Sequence, residues 1–93
     1  MISTPQHNQQ VATIFRSIAE RLAAQRANPY RVRAYRKAAD TIEALEENIA
    51  DIAARQALED IEGIGRDLAD KIEEFLRTGT IQTYEALRTP LPE

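Results

Sequence analysis

Residues 58–79 read LEDIEGIGRDLADKIEEFLRTG, and two glycines around one aliphatic residue, Gly63-Ile64-Gly65, interrupt what is otherwise helical sequence. After the interruption Leu68, Ile72, Phe75 and Leu76 recur at the spacing of one helix face, which predicts a helix over about 66–77. Thr78-Gly79-Thr80 then reads as a glycine stop followed by a new N-cap. Glycine tolerates positive φ and, lacking Cβ, lets another molecule approach the backbone, while Ile64 is suited to plug the core and fix the loop. The amides of Gly65, Arg66 and Asp67 open the following helix, where unpaired N–H groups and the dipole favour an anion such as phosphate. The bland alternative is a tight turn in which the glycines serve geometry alone. On the phosphate reading, valine at Gly65 damages both the turn and the approach of the anion.

Working outward, the helical period persists. Val11, Ile14, Phe15, Ile18 and Leu22 mark a first helix, starting at Thr4-Pro5 or at Asn8. Asn28 followed by Pro29 is an N-cap beside the residue favoured at the first helical position. In that second helix Val32, Tyr35, Ala39 and Ile42 share one side and Arg33, Arg36 and Lys37 the other. Residues 48–57 hold one or two short helices anchored by Ile49 and Ile52, and a short last helix spans about 81–87 before Pro90 and Pro92 end regular structure. No alternating β-branched run competes, so the fold class is all-α, a compact bundle of about four to five short helices. At 93 residues there is room for one core, so residues 1–93 form a single domain with an ordered core of about 8–88.

Hydrophobic residues make up 43% and charged residues 29%, which suits a globular protein, and no apolar run reaches the roughly 20 residues of a membrane span. The first twenty residues lack the basic start and apolar stretch of a secretory signal, so a cytoplasmic setting is expected. With no cysteine and only His7, a transition-metal site built from side chains is not expected. The net charge of −3 and pI near 5.2 argue against nucleic-acid binding when taken as totals. Their distribution argues otherwise. Arg26, Arg31, Arg33, Arg36 and Lys37 fall in one twelve-residue run without an acid, whereas residues 40–62 carry eight acids against the single Arg55.

Leu58, Ile61, Gly63-Ile64-Gly65, Ala69 and Lys71-Ile72 together resemble a helix-hairpin-helix motif, a non-specific binder of the DNA backbone. A second block, residues 28–39 (NPYRVRAYRKAA), resembles the segment at the same place in the N-terminal lyase-type domain of family X DNA polymerases, the DNA polymerase beta family. The resemblance covers roughly residues 8–88. It implies binding to gapped or single-stranded DNA and to the 5′-phosphate at a gap, with 5′-deoxyribose-phosphate lyase activity in some members. By the same resemblance the Schiff-base lysine falls on Lys71, its tyrosine on Tyr35, and a phosphate-binding lysine on Arg31. The hairpin glycines correspond to Gly63 and Gly65, and the carbonyls that hold a sodium or potassium ion would belong to Glu59, Ile61 and Ile64.

Departures weaken the likeness. The strongly lyase-active member has lysines where this chain has Glu59, Asp60, Asp67 and Thr83, so binding should be weaker. Lys37 and Lys71 are the only lysines, and Asp67, four residues before Lys71, is placed to keep its amine charged. The DNA-contact candidates are therefore Arg31, Arg33, Tyr35, Gly63, Gly65 and Arg66, with Lys71 the candidate lyase amine and any activity modest. Tyr35 also reads as a core residue with its hydroxyl at the rim, and the basic face as a merely solvated one. No cofactor is required, and the sodium or potassium ion at the hairpin is an optional one that the resemblance implies. Polymerase activity is excluded, because the chain has no room for a palm domain; such a domain would act with it in cis or in trans. The competing reading is a helical protein-interaction module that does not bind DNA.

Overall fold

The computed structural model describes residues 5–88. Among them the elements run α1 (Gln6–Ala24), α2 (Pro29–Ala44), α3 (Ile49–Ala54), a 3₁₀ turn (Leu58–Asp60), α4 (Arg66–Thr78) and α5 (Gln82–Arg88), with no strand. Pro90 and Pro92 lie outside the described residues, as does Thr4. None of these helices is long and apolar enough to cross a membrane.

Local chemistry sets most boundaries. Asn28 accepts a hydrogen bond from the Tyr30 amide at 2.8 Å, with Pro29 at the first helical position of α2. Asn48 repeats the arrangement for α3 through the Ala50 amide at 2.8 Å. Gly79, at φ 84°, stops α4 and donates its amide to the Phe75 carbonyl at 2.7 Å. The start of α5 departs from expectation. Thr80 does not cap it; the Gln82 amide is taken by the Glu74 carboxylate of α4 at 2.8 Å, and Ile81 is buried as an anchor.

Asn8 also departs from the sequence reading. It is no helix start, since α1 begins at Gln6 behind Pro5 and Asn8 is wholly buried inside its first turn. Its side chain reaches the loop between α2 and α3 instead. The amide nitrogen donates to the carbonyls of Ile42 (3.3 Å) and Glu47 (2.9 Å), and its oxygen accepts from the Ile49 amide (2.9 Å).

Helices α1 and α2 form the main pair, and Val11, Phe15 and Ile18 meet Tyr35, Ala39 and Ile42 in the core that Ile64, Leu68 and Ile72 complete. Outside this seam Arg16 grips Asp40 at 2.8 Å and Glu43 at 2.9 Å. Its hydrogen bond holds the Glu43 carboxyl below the usual carboxylate range. A carboxylate depressed in this way adds stability that is present above its ordinary value and lost as pH falls through the folded one. We therefore expect acid below about pH 4.5 to lower the melting temperature more for the intact protein than for Glu43→Gln. The difference should be small, because solvent screens half-exposed partners.

Candidate nucleic-acid interface

The hairpin is built from the 3₁₀ turn, five linking residues and the start of α4. The Ile61 carbonyl accepts the Ile64 amide at 3.0 Å, which closes the turn, and Ile64 is buried as its plug. Only one of the two glycines carries the conformational demand. Gly63 sits at φ 84°, in the left-handed region. Gly65 is extended, at φ −88° and ψ −174°, and a Cβ placed there would meet nothing within 4 Å. The expectation that bulk at Gly65 damages the turn is thus corrected: its backbone suits any residue, and what the missing side chain leaves is open space before the first amides of α4. No side chain caps this N-terminus, so those amides are the orphan donors of a helix start.

Lys71 lies six residues beyond Gly65, about 9 Å along α4. Its side chain is only 15% exposed, and its ammonium donates to Asp67 at 2.8 Å. Burial pushes its pKa down, but the Asp67 hydrogen bond and charge and the neighbouring Tyr35 hydroxyl outweigh it, so the amine is held above its ordinary value. Tyr35, 2% exposed, packs its ring edge-on to Phe15 with centroids 5.4 Å apart. Its ring is therefore core and no stacking platform. The hydroxyl is not at a solvated rim but buried, and it completes no hydrogen bond among the described residues. Arg31 stands exposed one turn before Tyr35 on α2.

Two residues not among the DNA-contact candidates stand out, Lys37 at the hairpin and Tyr30 on the α2 surface. The Lys37 aliphatic chain lies across Gly63, 3.7 Å from where a Cβ would stand, and its ammonium is 3.7 Å from the exposed Glu62 carboxylate. Tyr30 is 75% exposed, with the Arg33 guanidinium 5.5 Å from its ring centroid. The i, i+3 spacing of Tyr30 and Arg33 was the available signal for the second; nothing local announces the first.

The other candidates divide. Arg33 lines a crevice beside the end of α1 and lies by the Tyr30 ring. Arg66 offers its amide at the helix start, but its side chain shares a cleft of about 270 Å³ with Glu59, Asp70 and Glu73 on the acidic side. Glu59 is exposed, Ile61 half-buried and Ile64 buried, and the Ile61 carbonyl already accepts one amide. Among the described residues no group of histidine or acidic side chains is arranged to hold a metal ion.

No curated protein matches the chain. Residues 6–81 match the helix-hairpin-helix domain family, whose members generally bind nucleic acid. That span runs from the first residue of α1 to the start of α5 and includes the glycine turn and the open N-terminus of α4. The chain belongs to the helix-hairpin-helix domain family.

Proposed function

We propose that this domain binds DNA through its phosphates, regardless of base sequence, at single-stranded or gapped sites in the cytoplasm. A 5′-phosphate is seated on the amides that open α4, beside Gly65, with Arg31 as a bidentate side-chain contact. The observation that carries the reading is the Tyr35 hydroxyl, buried without a partner beside Lys71. A buried polar atom left unsatisfied carries a cost that a ligand can relieve. Here it adjoins a sparsely exposed lysine on the helix whose start is open to an anion.

The same pair supports a slow 5′-deoxyribose-phosphate lyase. Neutral Lys71 attacks C1′ of the ring-opened sugar, water leaves as the C=N bond forms, and loss of a C2′ proton expels the 3′ oxygen, leaving a 5′-phosphate on the strand. Asp67 opposes the first step by keeping the amine protonated. Asp67→Asn removes the hydrogen bond and charge that raise the Lys71 pKa, which then falls. The expected result is faster borohydride trapping on a 5′-deoxyribose-phosphate substrate, about tenfold for each unit by which the pKa drops, with the pH profile moved down. Lys71→Ala should trap nothing; an adduct that persists there would remove Lys71 from the role.

The carbonyls of Glu59, Ile61 and Ile64 would supply an all-oxygen donor set of the kind a hard cation takes, and one hydrogen bond leaves the Ile61 oxygen a second lone pair. A sodium or potassium ion held there would offset phosphate charge. The domain would then serve a family X polymerase palm, in cis or in trans.

Titration with gapped duplexes that differ only in the 5′-phosphate tests the reading. We expect tighter binding with the phosphate, indifference to base sequence, and a log–log salt slope of about −2 to −4 for three or four phosphates engaged. Equal affinities with a slope near zero would favour the protein-interaction alternative.

A further inference from the structure

Lys37 and Arg36 are adjacent on α2 and therefore point about 100° apart. Lys37 covers Gly63, whereas Arg36 faces a crevice of about 480 Å³ between the end of α1 and the start of α2. Ala23, Ala27 and Val32 line its apolar part; Arg26, Arg33 and Arg36 supply its charge. None of the three guanidinium groups has an ion-pair partner among the described residues. In a chain of 15 acidic and 12 basic side chains, three arginines around one hollow, none with an ion-pair partner among the described residues, leave a local positive field, although Arg36 also borders a smaller cleft with Glu20 and Asp40.

Arg26 also occupies a position that favours another residue. It closes α1 at φ 57°, with its amide on the Ala23 carbonyl (3.0 Å) and the Ala27 amide on the Leu22 carbonyl (2.9 Å), a helix end at which glycine is preferred. Gln56 closes α3 with the same φ of 57°, so the strain by itself marks no site. At α1, however, it sets a cation on the crevice. We infer that this crevice is a second phosphate site, which takes the backbone of a single DNA strand and is separate from the hairpin.

A nucleic-acid strand suits the place better than an acidic peptide. Arg33 belongs both to the crevice and to the exposed Tyr30 ring. A basic groove with an aromatic face beside it is what a single strand uses for its phosphates and bases, and an acidic peptide has no use for the exposed ring. A helix with its side chains is about 10–12 Å across, so the hairpin and the crevice, on different flanks of α2, engage different strand segments. At a gap the phosphorylated end lies at the hairpin and the continuous strand at the crevice. The inference rests on the DNA binding proposed above.

The test uses an unphosphorylated oligothymidylate of about 16 nucleotides and gapped duplexes with and without the 5′-phosphate. Arg26→Gly removes the guanidinium while supplying the residue that this helix end prefers, so its melting temperature should hold or rise. Combined with Arg36→Gln it should weaken oligothymidylate binding at least about tenfold and flatten the salt slope by about 1.4, two contacts at roughly 0.7 each. The affinity ratio between phosphorylated and unphosphorylated gaps should not change. Gly65→Asp should do the reverse, losing that ratio while retaining oligothymidylate. Unchanged oligothymidylate affinity and slope in the double variant would overturn the proposal. So would an oligoglutamate that binds the intact protein more tightly than the oligonucleotide and loses its grip in the double variant. If the intact protein binds none of these DNAs, the proposed function fails and the crevice reading with it.

Discussion

Gly65→Asp is expected to melt at or slightly above the temperature of the intact protein and to lose affinity for a 5′-phosphorylated gap by about ten- to a hundredfold. The first half follows from the backbone. Gly65 is extended and a Cβ there meets nothing, so the substitution strains no torsion and touches no neighbour. Aspartate is a better N-cap than glycine by a few tenths of a kcal/mol, and its charge suits the start of α4. The second half follows from the same improvement. A carboxylate that satisfies the α4 amides occupies the place of the phosphate and repels it. Losing hydrogen bonds to a charged group, at roughly 1.5–3 kcal/mol, corresponds to one or two orders of magnitude in affinity.

Gly63→Val supplies the contrast. At φ 84° a β-branched residue costs on the order of 1–2 kcal/mol, although its Cβ would meet the Lys37 chain at an ordinary contact distance of 3.7 Å. That should lower the melting temperature by roughly 5–15 °C. Melting curves and affinities measured on both variants separate turn geometry from anion contact. A Gly65→Asp protein that binds the phosphorylated gap normally would remove the α4 start from the interface.

What the sequence made legible was local. Asn28-Pro29 and Gly79 act within a few residues of themselves and bound their helices as read, and Asn48 caps α3 in the same local way although it was not singled out. The periodicity of Leu68, Ile72 and Phe75 likewise gave α4 and its buried face. The two hairpin glycines were indistinguishable in the sequence, because a φ of 84° at one and an extended backbone at the other depend on how the whole turn closes. The basic run of α2 read as one face; which of its members meet the hairpin depends on where two other helices dock. Lys37 lies over the hairpin, while Arg33 and Arg36 line the crevice beside the end of α1. An acidic domain thereby keeps cationic surface: Arg16 and Arg55 are paired with acids, while the arginines of α2 have no ion-pair partner among the described residues.

Asn8 is the residue no local pattern could interpret, since its partners lie 34, 39 and 41 positions away. It joins the first turn of α1 to the last turn of α2, the following loop and the first amide of α3. The Ile49 amide is an orphan donor of that helix start, and Ile49 is wholly buried, so water offers a poor substitute for the Asn8 oxygen. Asn8→Ala leaves this amide and the Glu47 carbonyl without their partner and opens a small void besides. The expected cost is about 2–4 kcal/mol, a large share of the roughly 5–14 kcal/mol available to a domain of this size. The melting temperature should fall by roughly 10–20 °C. Asn8→Leu, similar in volume, should fare no better, because filling the space does not supply the hydrogen bonds. Asn8→Asp keeps the acceptor for Ile49 but sets a carboxylate against the carbonyls of Ile42 and Glu47, so it should recover stability only when acid protonates it. Chemical denaturation of the three variants at two pH values checks the assignment, and a leucine variant as stable as the intact protein would reduce Asn8 to a space-filler.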